Sequence, residues 1–434
     1  MDQGVDDNAS QGKRPKPDSF FSSPGSSKLS LLVLSLVFAL ALLDRHIIAT
    51  LVEPIKSEFR LSDGQVGFLT GVAFAISYAL CGVPVARLAD RVSRTRLIAA
   101  ILSFWSAMTA LGGVASQYWH LVFARFGVGA GEAGVVPAAH SLISDLFAPH
   151  DRATAISFFT FGGIVGGSFA YYAGGWMVDT FGWRTTLFVA AAPGFVLSLV
   201  MLLLPEPRRG TSAENGKPLT TRQSFFRDVG ELLSSPRYIR TVMAFGLYGL
   251  FSFGVSYWAP SFFIRSMEFT STEAGRFLGI SSLAGGILGT AFLATLGHRL
   301  LRADRRYYLW LPSAMTALLI AFLSVVLLAP SEQTVYLWFC ADFFSFAAVP
   351  PIYAYVISLA PPERRALAAS VNIVFLSVFG LGLGPQTVGW VSDLLNPGFG
   401  DRSLGLAIAF VCLAAVPCVL LLLSNVRREA PSAA

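Results

Sequence analysis

Charged residues are scarce in this sequence. Asp, Glu, Lys and Arg make up only 13% of its 434 residues, whereas 54% are hydrophobic and the mean hydropathy is +0.61. A soluble domain of this length could not enclose so many apolar side chains behind so few charges. The composition therefore excludes an ordinary soluble globular protein and indicates a protein of the membrane.

The sequence also has few residues that bind metals or carry out nucleophilic catalysis. Its four cysteines all fall inside hydrophobic blocks, without the spacing of a metal site or a disulfide framework, and we expect them to serve packing: Cys81, Cys340, Cys412 and Cys418. Its five histidines are scattered, and we find no Walker loop, histidine pair on one helix face or Gly-x-Ser-x-Gly elbow. These absences predict a chain without metal, cofactor or enzymatic activity.

Long apolar blocks dominate what is present. A helix that crosses the hydrocarbon core needs about 20 mostly apolar residues. The sequence has twelve such blocks, at roughly residues 29–50, 64–86, 96–115, 118–146, 153–178, 185–205, 238–263, 273–297, 307–329, 334–359, 366–391 and 403–424. They lack the in–out alternation of barrel strands. The sequence thus predicts an all-α membrane protein with twelve transmembrane helices.

The basic residues are distributed unequally between the two sides of the predicted bundle. With both termini on one side, 24 of the 32 Lys and Arg residues lie on that side, six on the other and two inside spans. Cytoplasmic loops of membrane proteins carry the excess of Lys and Arg. We therefore predict a multi-pass protein of the plasma (inner) membrane with both termini in the cytoplasm. The net charge of +6 then requires no nucleic-acid partner.

A polar break divides the twelve blocks into two sets of six. Inside it, apolar residues recur at helical spacing: Phe225, Phe226, Val229, Leu232 and Leu233. This spacing predicts either a short helix on the cytoplasmic surface or a linker helix packed on the bundle. The predicted organisation is a disordered cytoplasmic tail, a six-helix bundle, a linker with a short amphipathic helix, a second six-helix bundle and a cytoplasmic tail: residues 1–27, 28–205, 206–236, 237–425 and 426–434.

Short matches indicate that the two halves are repeats of one unit. The segment Gly175-Trp176-Met177-Val178-Asp179 corresponds to Gly389-Trp390-Val391-Ser392-Asp393, and two further pairs of segments match in the same order at nearly the same offset. Two parallel six-helix halves are a transporter architecture, with the substrate site between them midway across the bilayer.

The junction between the second and third blocks carries the charged motif Asp90-Arg91-Val92-Ser93-Arg94. It resembles the inner-loop signature of the major facilitator superfamily, although two of the usual glycines are replaced. We expect Asp90 to lie at a helix N-terminus. Arg91 and Arg94 are expected to reach Asp145 and to form a cytoplasmic gate with it. The alternative is that these residues only supply the positive charge of a cytoplasmic loop.

Four charges lie inside the predicted spans of the first half: Asp44, Arg45, Arg125 and Glu132. Arg125 and Glu132 are seven residues apart, nearly two helical turns, so they share one helix face with Gly129 between them. A charge inside a span is costly unless it is paired or faces water, which favours a functional role. The alternative is a buried structural ion pair.

The fourth block also resembles the superfamily's Arg-x-x-x-Gly-x-Gly pattern, and further segments are similar to its spinster-like branch: 54–62, 131–134, 141–145 and 182–184. This resemblance implies the major facilitator fold. Eukaryotic members of the branch export lysolipids and sphingoid phosphates, and their proposed site residues correspond to Asp44, Arg45, Arg125 and Glu132. The organic-anion:proton symporter branch has a similar arrangement of charges, so these four residues do not separate the two branches.

The second half has essentially one charge inside its spans, Asp342, amid many aromatic residues. A charged wall opposite an apolar one suits an amphipathic molecule with an anionic head group better than a sugar acid, which needs polar groups all round. The alternative is that many of these rings face lipid or neighbouring helices. The predicted substrate-binding residues are Arg45, Arg125, Asp342, Tyr248, Phe251 and Phe375.

Together these features predict a secondary-active transporter of a lysolipid-like or sphingoid-phosphate-like anion, driven by a proton gradient. Asp44 and Glu132 are the predicted proton-coupling carboxylates. Arg45 and Arg125 would receive the head group, since guanidinium pairs phosphate or carboxylate bidentately.

Two other classes of protein remain open from the sequence. One is a transporter of small organic anions, or a multidrug exporter, of the same superfamily. The other is a membrane-embedded enzyme, which would need a catalytic constellation that the spans do not contain. We expect a monomer whose partners are its substrate, protons and membrane lipid.

Overall fold

The computed structural model describes residues 25–207 and 222–426, and within these ranges the chain is helical apart from its turns. The helical segments, numbered in chain order, are α1 (Gly25–Thr50), α2 (Val52–Phe59), α3 (Asp63–Ala89), α4 (Arg94–Gly113), α5 (Tyr118–Leu146), α6 (Arg152–Leu203), α7 (Arg222–Ser234), α8 (Pro236–Met267), α9 (Ser271–Ala303), α10 (Tyr307–Leu328), α11 (Thr334–Ser358) and α12 (Pro362–Val426).

Ten of these segments in the described part of the chain are long and apolar enough to cross a membrane, namely all except α2 and α7. Two of the ten are much longer than a single crossing requires, because α6 has 52 residues and α12 has 65. A hydrocarbon core about 30 Å thick takes only about 20 helical residues. Each of these two segments therefore supplies two crossings, and the predicted all-α membrane fold is confirmed.

Glycines mark the turning points inside the two long segments. Gly182 in α6 has φ +79° and ψ 163°, outside the helical region. In α12, Gly400 has φ +53° and begins a short 3₁₀ turn that ends at Arg402. Positive φ values are strained for residues with a Cβ atom but not for glycine. The chain thus reverses at the two places where the sixth and twelfth hydrophobic blocks were predicted to begin.

The α7 helix packs on the second half of the protein. Leu232 is buried beside Tyr238, and Arg364 forms ion pairs with Asp228 at 3.0 Å and with Glu231. This arrangement corresponds to the linker helix packed on the bundle. The predicted tails lie almost entirely outside the described residues, at 1–24 and 427–434, as do residues 208–221 and the side chains of Phe225 and Phe226.

The helices form two halves, and the bundle has two ends. The N-terminal half consists of α1 to α6 and the C-terminal half of α8 to α12. We call the end at which α1 begins and α12 finishes the terminal end. The opposite end, where α1 finishes at Thr50 and α3 begins at Asp63, is the latch end.

Candidate transport site

The four charges predicted inside the first half meet in one cluster. Arg45 on α1 donates to Glu132 on α5 through Nη2 at 2.7 Å and Nε at 3.2 Å. The side chain of Glu132 is completely buried, and that of Arg45 is 13% exposed. A buried pair of this kind requires both partners, because either charge alone would be uncompensated. Loss of either charge would therefore leave the other unpaired in the interior of the N-terminal half.

The other two charges of the cluster are not paired through their charged groups. The Asp44 carboxylate accepts a hydrogen bond from the Thr109 hydroxyl at 2.7 Å, and Arg125 donates to the main-chain carbonyl of Asp44 at 3.3 Å. Within the described chain, Asp44 Oδ1, Arg125 Nε and Nη2, and Glu132 Oε1 are buried without a hydrogen-bond partner. A void of about 20 Å³ borders Asp44, Thr109 and Arg125 and is large enough for one water molecule.

Glycine and aromatic residues bring α3 against this cluster. A methyl group on Gly129 would lie 2.5 Å from the Phe74 carbonyl oxygen, so only glycine permits this approach of α3 and α5. The Phe74 ring lies 5.0 Å from the guanidinium carbon of Arg45 and 5.3 Å from that of Arg125, and Tyr78 lies 5.2 Å from Arg45. Cation–π contacts thus supplement the sparse hydrogen bonding of the two arginines.

A separate cavity lies between the two halves. It has a volume of about 580 Å³ and is lined by α1 and α6 of the N-terminal half and mainly by α8, α9 and α11 of the C-terminal half. Lining residues towards the terminal end, such as Thr160 and Pro350, are exposed, whereas Ala259 and Trp338 towards the latch end are buried. The cavity therefore opens towards the terminal end, and its size suits a small organic ligand.

The predicted binding residues divide between this cavity and other places. Asp342 and Phe251 line it. Tyr248 is buried beside it, and its hydroxyl donates to the Ser345 carbonyl at 2.8 Å. Phe375 is not a lining residue and stacks instead on Phe379, with ring centroids 6.0 Å apart.

The charged cluster itself does not border the cavity. None of Asp44, Arg45, Arg125 and Glu132 is among its lining residues. Neighbouring residues on a helix point about 100° apart, and it is His46, directly after Arg45, that faces the cavity. The predicted direct contact between the arginines and a head group is therefore not made in this conformation.

His46 belongs to a polar group that the sequence analysis did not identify. Its Nδ1 lies 3.2 Å from the Tyr171 hydroxyl, which donates to the Ser256 carbonyl at 2.8 Å, and its ring stacks on Tyr257 at 5.8 Å. These contacts join α1 and α6 to α8 across the cavity wall. The signal in the sequence was a histidine inside a span, next to two charges, which is itself unusual.

Of the residues predicted to form a cytoplasmic gate, Arg94 and Asp145 pair with each other, and Glu206 joins them. Arg94 pairs with Asp145 at 2.5 Å and with Glu206 at 2.9 Å, whereas Arg91 is exposed and takes no part in these pairs. The expectation for Asp90 was wrong, because Asp90 ends α3 and Ser93 caps the following helix instead. The helix that follows begins at Arg94, so the N-cap position falls on Ser93, whose hydroxyl accepts from the backbone N–H of Arg96.

Glu206 completes this gate just after α6. Partial burial raises its pKa, but the backbone N–H of Thr95 and the guanidinium of Arg94 donate to its carboxylate, and the net pKa falls to about 2. Glu206 therefore stays ionised at neutral pH. All members of the gate belong to the N-terminal half, so the gate does not connect the two halves.

At the latch end, by contrast, charges connect the two halves directly. Asp63 at the start of α3 accepts hydrogen bonds from Lys56, from Arg265 at the end of α8, and from Ser392 in α12. Arg265 also pairs with Glu53 at 2.8 Å. Asp63 is only 3% exposed, so these bonds are largely shielded from water.

The repeated Gly-Trp-x-x-Asp segments form equivalent contacts on both sides of this end. Asp179 accepts a hydrogen bond from the backbone N–H of Thr272 at 2.7 Å, at the start of α9. Asp393 accepts from the backbone N–H groups of Asp63 and Gly64 at 2.9 and 2.7 Å, at the start of α3. A carboxylate is stabilised at a helix N-terminus by free N–H groups and the helix dipole. Each half thus caps a helix of the other.

Within residues 25–207 and 222–426, no group of three or more His, Cys, Asp or Glu side chains is arranged to hold a metal ion. What the arrangement provides is a cavity between two halves, a closed latch end and a buried ion pair.

Two six-crossing halves with a cavity between them are an architecture of membrane transporters. The family model of the Major Facilitator Superfamily matches residues 34–385. The chain belongs to this superfamily, and its relatives place it in the spinster-like branch.

These relatives cover nearly the whole chain. An MFS-type efflux pump of Mycolicibacterium smegmatis is 30% identical over 403 residues, which are 92% of this chain and 92% of that protein. Protein spinster homolog 1 of Rattus norvegicus is 28% identical over 86% of this chain and 74% of its own length. A crystal structure of a bacterial homolog of the human lysosomal transporter spinster, inward-facing and unoccupied, superimposes with a TM-score of 0.77 at 26% identity, covering 93% of this chain and 96% of that one.

Proposed function

We propose that this protein is a proton-coupled secondary transporter that carries an amphipathic molecule by alternating access. The observation that carries the proposal is the cavity of about 580 Å³ between the halves, whose wall is mostly apolar and aromatic. Such a wall accommodates an alkyl or aromatic body, while the few polar side chains orient it. We propose no enzymatic activity.

The buried pair of Arg45 and Glu132 is the proposed coupling site. When Glu132 is ionised, it holds Arg45 at 2.7 Å. A proton on Glu132 removes that charge and frees Arg45, so that the cluster exists in two arrangements with different preferences for the two transporter states. Linkage between proton binding and conformation follows from this difference. In the same scheme Asp44 is the second protonatable group, beside its small void.

The predicted anionic head group imposes a structural requirement on this scheme. Because neither Arg45 nor Arg125 lines the cavity, an anion reaches them only after protonated Glu132 releases Arg45 and the helices rearrange. In this form the anionic cargo, lysolipid-like or sphingoid-phosphate-like, stays part of the proposal.

The direction and orientation of transport are proposed as follows. The relative described as an efflux pump supports export of the cargo. The excess of Lys and Arg on the terminal end supports a plasma (inner) membrane protein with both termini in the cytoplasm. Alkaline phosphatase fused after Ala434 should be inactive and green fluorescent protein fluorescent; the reverse pattern would contradict this orientation. We also propose a monomer, which light scattering of the purified protein tests.

Transport by reconstituted protein tests the proposed function. Proteoliposomes with an imposed pH gradient should accumulate more lysophosphatidic acid or tetraphenylphosphonium than protein-free liposomes of the same lipid, and an uncoupler should abolish the difference. Glu132→Gln should remove accumulation while leaving exchange at equal pH, whereas Glu332→Gln, an exposed glutamate in a loop, should behave as wild type. Accumulation by Glu132→Gln at the wild-type level would remove the coupling role, and accumulation without a gradient would remove proton coupling altogether.

A further inference from the structure

The charge lining the cavity is negative. Asp342, on α11, is the one carboxylate among the described residues that line it, and those residues include no lysine or arginine. His46 is the other lining side chain that could carry a charge. Arg45 and Arg125 do not line the cavity, and the ion pair with Glu132 neutralises the charge of Arg45. A molecule inside the cavity therefore meets a carboxylate before it meets any guanidinium.

Asp342 is held with one oxygen free to bind. Its Oδ2 accepts a hydrogen bond from the Ser281 hydroxyl at 2.5 Å. Gly285, one helical turn after Ser281, makes this possible, since a methyl group there would lie 2.7 Å from the Asp342 Cβ. Oδ1 has no hydrogen-bond partner and is not among the buried unsatisfied atoms, so it reaches the cavity. A carboxylate in mid-membrane is costly and is retained where it has a ligand.

Aromatic rings line the cavity that contains this carboxylate. Phe38, Tyr171, Phe251 and Trp338 line the same cavity, from both halves of the protein. The faces of such rings attract cations, and the attraction grows where water is excluded. One carboxylate inside an aromatic wall is therefore a site for an organic cation with an apolar body.

We propose that the cavity binds amphipathic organic cations, with their positive group at Asp342 and their apolar groups against the aromatic wall. This inference rests on the proposed function, because it concerns the cargo of the same cavity. It differs in the charge recognised: an anionic group would be received by Arg45 in the first half, and a cationic group by Asp342 in the second.

Two probes of equal size and opposite charge test the inference. Tetraphenylphosphonium and tetraphenylborate have nearly the same shape and apolar surface, so the difference in binding that remains after subtracting uptake by protein-free nanodiscs reports the charge preference of the site. Equilibrium dialysis of the full chain in nanodiscs, without any pH gradient, should show tighter binding of the phosphonium. Asp342→Asn should weaken that binding by about tenfold or more, and it should not weaken the binding of tetraphenylborate. Asp401→Asn, an exposed carboxylate in a turn, is the matched control.

Each outcome decides the question. Phosphonium binding that is absent in the wild type, or unchanged in Asp342→Asn, overturns the inference and leaves Asp342 as a structural partner of Ser281. Preference for tetraphenylborate overturns it in favour of an anionic cargo. If Asp342→Asn loses its fold, Ser281→Ala keeps the carboxylate and should keep phosphonium binding. Gradient-driven transport by Glu132→Gln is measured in a separate experiment. Failure of the cation site can therefore be distinguished from failure of proton coupling.

Discussion

Replacing Arg265 should open the latch end. Arg265 donates to both oxygens of Asp63, at 2.9 and 3.0 Å, and to Glu53 at 2.9 Å. These bonds join α8 of one half to α2 and α3 of the other, so they exist only while the latch end is closed. In Arg265→Gln, Asp63 retains Lys56 as a partner within its own half, which keeps its charge compensated when the halves separate.

The size of the effect follows from the bonds that are lost. A hydrogen bond to a charged group contributes about 1.5–3 kcal/mol, and a neutral glutamine can restore only part of one such bond. In the latch-open state Arg265 would be hydrated, so its contribution is a difference between the two states. We expect the preference for the closed latch end to fall by about 2–3 kcal/mol, a shift of about 30- to 150-fold in the equilibrium between states.

Distances between spin labels measure this shift. Ser116 and Glu332 are exposed residues at the latch end, one in each half, and labels at these positions should move apart when the end opens. The labels are introduced in a background in which the four native cysteines are serine. Arg265→Gln should add a longer distance to the distribution, whereas Arg402→Gln, an exposed arginine at the same end, should not. A distribution unchanged by Arg265→Gln would refute the role of these ion pairs as the latch.

Three further predictions concern stability and packing. Arg45→Ala leaves the buried Glu132 unpaired and should lower the free energy of unfolding by about 3–5 kcal/mol, whereas Arg45→Met with Glu132→Met should restore most of it, as thermal unfolding in detergent will show. Gly175→Ala places a methyl group 2.1 Å from a backbone oxygen of α9 and should shift the protein towards the latch-open state in spin-label measurements, whereas Gly398→Ala, which has open space, should not. Glu206→Gln should lower stability by about 1–2 kcal/mol. Because the folded pKa of Glu206 lies at about 2, below its unfolded value, this difference should stay constant above about pH 5 and vanish only as the pH falls through about 2.

The fold could be predicted because a membrane-spanning helix can be identified from its own local sequence. Twelve apolar blocks of sufficient length need no knowledge of tertiary contacts, and glycine with its access to positive φ marks the turn at Gly182. The repeat of Gly175–Asp179 at Gly389–Asp393 was visible too. The capping role of the repeat was not visible, because a carboxylate can be recognised as a helix cap only when the position of the helix N-terminus in the other half is known.

The charged residues of the site could be predicted from the sequence, but the direction in which their side chains face could not. Spacing places Arg125 and Glu132 on one helix face, and the cost of buried charge predicts that Glu132 has a cationic partner, which is Arg45 in the structure. Whether that face points into the cavity depends on the rotation of α1 and α5 about their axes. This rotation is determined by the packing between helices. A turn of about 100° puts His46 in the cavity and Arg45 behind it. The aromatic residues show the same difficulty, since Phe251 faces the cavity and Phe375 does not.

The central claim is that cargo in the cavity and protons at the buried cluster are linked. Proteoliposomes that contain a trapped pH-indicator dye test it directly, with tetraphenylphosphonium and lysophosphatidic acid added in turn outside and no gradient imposed. The account predicts that at least one of them drives a proton flux through the wild-type protein, and that Glu132→Gln shows cargo exchange without it. Cargo movement through the wild type with no change in internal pH would contradict the account.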